Sequence, residues 1–141
     1  MKLSIIIAIV MVLAFANAKR GDPIIRDGEE LLRYMEGDLP GTWIVFFYKI
    51  SASTSKTSNM REEIKRKILD RYPNFHYHEI DVDTGAYDNI VRDMQVDETD
   101  LKHSPTIMVA SDGHGYWAHG EGAVNEILTQ LPRFSEEARR K

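Results

Sequence analysis

From Trp43 to Phe47 the chain reads W-I-V-F-F and closes on Tyr48, with no charged or amide residue in the run. A short continuous run of β-branched and aromatic residues fits a strand covered on both faces, which places it at the centre of a sheet. Farther on, Met60, Ile64 and Ile68 recur at i, i+4 and i+8, with Glu62→Arg66 and Glu63→Lys67 pairs on the opposite side, the pattern of an amphipathic helix. Two starts are open for it: Asn59 with Glu62 three residues on forms a capping-box pair, and Ser53, Thr54 or Ser55 would begin it a turn earlier. Either start puts the small, hydroxylated stretch YKISASTSKTSN at a helix N-terminus.

The rest of the chain alternates the same two periods. Ile24-Ile25 predicts a short first strand. Leu31, Leu32 and Met35 share a helical face, with Glu29 and Glu30 in the first turn and Gly37 and the Pro40-Gly41 turn closing it. NFHYHEIDVD alternates into Ile80 and Val82 as a third strand, and Ile90, Val91 and Met94 mark a short helix. After Pro105, TIMVA predicts a fourth strand, Asp112-Gly113 a hairpin turn, and GYWAHG the returning strand. Val124, Ile127, Leu128 and Leu131 form the stripe of a closing helix over 123–131, ended by Pro132 and followed by a charged tail over 133–141. The order β-α-β-α-β-α-β-β-α implies an α/β fold, a mixed sheet with helices on both faces.

One segment stands apart from that pattern. Leu3 to Ala16 is uninterruptedly apolar after Lys2 but for Ser4, and Ala16-Asn17-Ala18 is the small-x-small pattern of a signal-peptidase site. Residues 1–18 read as a secretory signal peptide or, uncleaved, as a membrane anchor with Lys19-Arg20 at the interface. As a helix they would extend about 27 Å, against a hydrocarbon core of roughly 30 Å. The first reading places the domain in the secretory pathway or ER lumen, the second on a membrane with the domain outside the cytosol. Mitochondrial inner-membrane proteins also carry short apolar anchors of this kind.

With 141 residues, 43% of them hydrophobic, the chain holds one domain with a core of its own, expected over 19–132. The formal charge of −4 comes from 18 basic and 22 acidic residues interspersed along the chain, so nucleic acid is not expected as a partner. The absence of cysteine changes the picture more: no disulfide, thiolate nucleophile or Cys-based zinc site is available.

IIRDGEELLRYM, WIVFFY, HEIDVDTG, SPTIMVASDGHG and GEGAVNEILTQL occur in the order and at the spacing of a thioredoxin-fold domain, which the chain resembles over almost all of its length after residue 23. The resemblance implies a three-layer α/β/α fold with a mixed sheet of four to five strands, preceded here by the N-terminal hydrophobic helix. Ser104-Pro105-Thr106 falls where that family carries its cis-proline, and a cis Pro105 is expected on that ground alone, since X-Pro bonds in general are cis only about 5–6% of the time. Where the family has Cys-x-x-Cys-Lys at the start of the second helix, this chain has Ala52-Ser53-Thr54-Ser55-Lys56, so Ala52 and Ser55 stand in for the two thiols. Phe46 falls where bacterial-type thioredoxins commonly bury an acid.

A serine hydroxyl cannot replace a thiolate in disulfide exchange, and no general base is placed beside Ser55, whose hydroxyl reads as a helix cap. The chain is therefore expected to be no enzyme and to need no cofactor. His76 and His78 share a strand face and His103, His114 and His119 lie near strand ends, yet without cysteines or carboxylates at ligand spacing they read as ordinary strand and turn histidines, with no metal. Trp43, Tyr48 and Trp117 read as packing at strand ends ahead of a docking patch. What survives loss of the thiols is surface: in the family the backbone beside the cis-proline pairs with an extended peptide, a strand addition that needs no sulfur. Ser104, Pro105, Thr106, Ala52, Ser55 and Lys56 are expected to line that groove. The expected function is a redox-inactive protein-binding module, either an accessory subunit of a membrane-associated complex or a soluble luminal client-binding factor. Its partners would be other protein subunits or an extended peptide, and the membrane through residues 1–18; a hydroxyl- or histidine-dependent enzyme on the same scaffold is the remaining alternative.

Overall fold

In a computed structural model, which describes residues 22–140, Trp43–Tyr48 forms β1 in the interior of a four-stranded sheet. β1 pairs in parallel with β2 (His76–Asp81) and antiparallel with β3 (Thr106–Ser111), which pairs antiparallel with β4 (His114–His119), giving the order β2-β1-β3-β4. The residues read as a signal peptide or anchor, 1–18, lie outside the described part. Among the described residues no helix is long and apolar enough to cross a membrane.

The unbroken apolar run follows from burial on both sides. Ile44 and Phe46 point into a core with Met60, Ile64, Ile107 and Ile127, under α2 (Ser55–Ile64, extended by a wider turn over Lys65–Leu69) and α5 (Ala123–Phe134). Trp43, Val45 and Phe47 point the other way, into a core with Leu31, Ile80, Ile90 and Met108 that packs under α1 (Gly28–Arg33) and α3 (Asp88–Asp93). The expected three layers are therefore present. The hairpin between β3 and β4 turns on Asp112 and Gly113, both left-handed (φ 50° and 80°), as that dipeptide predicts.

Five local expectations change. Ile24-Ile25 forms no strand: Pro23 has no amide to donate, Ile24 is 87% exposed, and the outer edge of β2 meets a side chain instead, Asp22 accepting from the Tyr77 amide at 3.4 Å and lying 2.9 Å from His76 Nδ1. The closing helix does not stop before Pro132 but runs to Phe134, because a proline in the last turn removes a single hydrogen bond and the Ser135 amide still reaches Leu131 O at 3.0 Å. Part of the stretch expected as a charged tail is helical, α6 (Glu136–Arg140), with Ala138 buried; and a short helix, α4 (Glu98–Leu101), begins on an Asp97 cap that the periodicity did not reveal. Finally, the peptide before Pro105 is trans, and no cis bond occurs among the described residues. Trans is the intrinsic preference of any X-Pro bond, and Pro105 remains anchored by its carbonyl, which accepts from the Gly120 amide at 3.2 Å.

Candidate functional site

At the C-terminal end of β1 the chain makes a tight turn over Ile50–Ala52, closed by Ala52 N donating to Lys49 O (3.0 Å) and Ser53 N to Ile50 O (3.1 Å). Ser53 (φ −65°, ψ 131°) and Thr54 (φ −135°, ψ −176°) are then extended, and α2 starts at Ser55. Of the starts the sequence left open, Thr54 is the cap: its Oγ1 accepts from Lys56 N at 3.2 Å, and its amide donates back to Thr57 Oγ1 at 3.5 Å. Two consequences follow for the positions read as thiol replacements. Two extended residues separate Ala52 from Ser55, so their Cα atoms stand about 9–10 Å apart, beyond the roughly 7 Å that a disulfide spans. The structure instead brings together Thr54 and Thr57, i and i+3 at the helix start, whose backbones bond at 3.1 Å (Thr57 N to Thr54 O).

The turn is pinned from the end of β2. Asp83 accepts from Lys49 Nζ at 2.5 Å and from the Ser51 amide at 2.9 Å, while Asp81 Oδ1 accepts from the Ile50 amide at 3.2 Å and the Asp83 amide at 3.0 Å. Sequence reasoning missed both carboxylates; the signal that could have found them is the D-V-D spacing just past a strand end. The Lys49 hydrogen bond, ahead of the one from the Ser51 amide, lowers the Asp83 carboxyl from 3.8 to about 2. Because the folded value is the lower one, the tether's contribution to stability is fully present above pH 3.8 and is lost as the pH falls through about 2, where the carboxylate itself is protonated. The amide resonance of Ser51 is expected to titrate with a midpoint near 2 and to lose that titration in Asp83→Asn; a midpoint at 3.8 would mean the carboxylate does not hold the turn.

Thr106 is level with Phe47, which brings buried Pro105 level with Tyr48, at the point where the turn begins. Ser104 and Lys56 meet in a cleft of about 180 Å³ between the start of α2 and the start of α5, together with Met60, Glu63 and Val124. Ala52, Ser55, Pro105 and Thr106 do not line it; Thr106 is buried, its Oγ1 2.9 Å from His119 Nδ1. The turn itself exposes Ile50, 60% accessible, a residue the periodicity did not single out.

Phe46, at the position of the family's buried acid, is level with Glu79 on β2. That carboxylate binds Arg61 of α2 through both oxygens (3.1 and 2.9 Å) and accepts from Tyr77 OH at 2.7 Å, while the guanidinium lies over the rings of Phe46 and Tyr48 at 5.5 and 5.4 Å. Burial, then the Glu79 charge, pushes the Tyr48 hydroxyl upward. These groups satisfy one another.

The histidines are dispersed. His76 bridges Asp22 and Pro40 O, His78 lies 2.9 Å from Tyr87 OH with its imidazole pushed below the ordinary value by burial, and His103 and His114 are exposed. Among the described residues no group of three His, Asp or Glu could hold a metal ion, and neither Ser53 nor Ser55 is hydrogen-bonded to a histidine or carboxylate. Of the three aromatics considered for docking, Trp43 is fully buried, Tyr48 is half-buried under Arg61, and Trp117 is 47% exposed.

No protein-family profile matches the chain, and no curated protein matches it. Solved structures do. Plasmodium falciparum thioredoxin aligns at 15% identity over 79% of this chain and 97% of its own, with a TM-score of 0.54. A structure from work on thiol resolution in yeast mitochondrial 1-Cys peroxiredoxin via glutathione/thioredoxin systems aligns at 16% identity over 78% and 92%, TM-score 0.57. A Cys-to-Ser variant of Entamoeba histolytica thioredoxin aligns at 18% over 77% and 95%, TM-score 0.53. The fold is thioredoxin-like, in a chain without cysteine.

Proposed function

We propose that the chain is a redox-inactive thioredoxin-like module that binds protein, an accessory subunit of a membrane-associated complex with the domain outside the cytosol. The observation that carries the reading is Ile50: a large apolar side chain held out to solvent on a turn that two carboxylates tie down. A rigid turn has little conformational entropy left to lose on association, and an exposed apolar anchor on it is the form of a contact residue. Nothing in such a contact needs sulfur, and the chain has none in a thiol. The small-x-small site Ala16-Asn17-Ala18 favours the second reading, a soluble luminal client-binding factor using the same surface.

A photo-cross-linking residue at position 50 of the full chain, expressed in its own cells, is expected to form discrete adducts that the same residue at exposed Ile24 does not, and Ile50→Asp is expected to release the chain from its assembly on native gels. Adducts of equal pattern from both positions, or an Ile50→Asp chain that stays assembled, would remove this surface as the contact. An intact Met1 in the assembly selects the anchored subunit; a mature N-terminus at Lys19 in a soluble species selects the luminal factor.

A further inference from the structure

α1 and α3 cover β1, β2 and part of β3 on their face of the sheet, and β4 lies beyond them. Trp117, level with Met108, points to that uncovered side and is 47% exposed. Next to it Gly115 is level with Ala110, so two minimal residues lower the floor; a Cβ on Gly115 would lie 3.3 Å from Val109 O and 3.7 Å from Met108 Sδ. The result is a groove of about 320 Å³ with Met35, Met94 and Met108 along its floor, Trp117 as a wall and the carboxylates of Glu36 and Asp93 among the residues that line it. No lysine or arginine lines the groove. Arg92 approaches Asp93 at 3.6 Å, but both side chains are more than half exposed, and such a pair is easily exchanged for another cation.

We infer that this groove binds a basic amphipathic segment of a partner protein, whose apolar side chains enter between the methionines and Trp117 and whose lysines or arginines meet Glu36 and Asp93. Thioethers are flexible and polarisable, and line surfaces that adapt to a helix laid into them. The charge asymmetry selects the occupant: an acidic or neutral apolar segment would bring no cation to Glu36 and leave Asp93 with Arg92 alone, whereas a basic one pairs both and places cations beside an indole face. The site lies on the opposite face of the sheet from α2, α5 and the Ser104 cleft, and is independent of the Ile50 contact.

The test uses the full chain and two short labelled helical peptides of identical apolar spacing, one of leucine and lysine, the other of leucine and glutamate. The lysine peptide is expected to bind and to shift the methyl resonances of Met35, Met94 and Met108. The glutamate peptide should bind about tenfold or more weakly, and both Trp117→Ala and the pair Glu36→Lys with Asp93→Lys should weaken the lysine peptide by about tenfold, the loss typical of an anchor residue. Ile50→Asp is expected to leave its binding unchanged, which separates this result from the proposed function. Equal binding of the two peptides, undiminished binding to either variant, or the same methyl shifts on self-association without peptide would overturn the inference.

Discussion

Phe46→Ala is expected to lower the free energy of unfolding by about 3–5 kcal/mol, the range for removing a fully buried phenylalanine. Phe46 has no accessible surface, lies in the middle of the strand buried on both faces, and is flanked in the sheet by Ile107 and Glu79. Its ring also stacks on Tyr48 at 5.7 Å, a contact of about 0.5–1.5 kcal/mol, and forms half of the aromatic seat for Arg61. The arginine is more than a third exposed, so its share is small and the cavity dominates. Urea unfolding should show a lower midpoint with the slope unchanged, and Tm should fall by on the order of 10–20 °C. A loss below about 1 kcal/mol would mean that the core closes around the hole, and that the apolar side chain at the acid position is incidental to stability.

That position illustrates what was legible in the sequence. The run from Trp43 to Phe47, the 3.6-period stripe of α2 and the Asp112-Gly113 turn are local signals, each set by a few consecutive residues, and each was realised. Ile24-Ile25 failed as a strand because pairing is a property of the neighbour, and Asp22 occupies the edge of β2 in its place. The site was less legible for the same reason. Lys49, Ile50 and Ser51 are fixed by carboxylates more than 30 residues away, a tie that no window of sequence contains. Hydroxyls at Ser53, Thr54 and Ser55 are equivalent as caps by composition, and the choice among them is made by where the turn over Ile50–Ala52 delivers the chain.

That choice carries the second large expectation: in a chain otherwise free of cysteine, Thr54→Cys with Thr57→Cys should close a disulfide, and Ala52→Cys with Ser55→Cys should not. The cap and the residue three positions on are one turn apart, with Cα atoms about 5–6 Å from each other, inside the range a disulfide spans, and their side chains already reach over the same turn. Residues 52 and 55 are separated by two extended residues, and bridging them would require α2 to unwind or lengthen by a turn. Losing the capping box should cost the reduced 54/57 pair about 1–2 kcal/mol, which ring closure would offset by constraining the unfolded chain. Free-thiol counts and intact mass after mild oxidation read the outcome directly, since no native cysteine competes. Closure of 52/55 with 54/57 left reduced would move the helix start back to Ala52; the opposite outcome makes Thr54 and Thr57 the pair that has disulfide geometry at the start of α2.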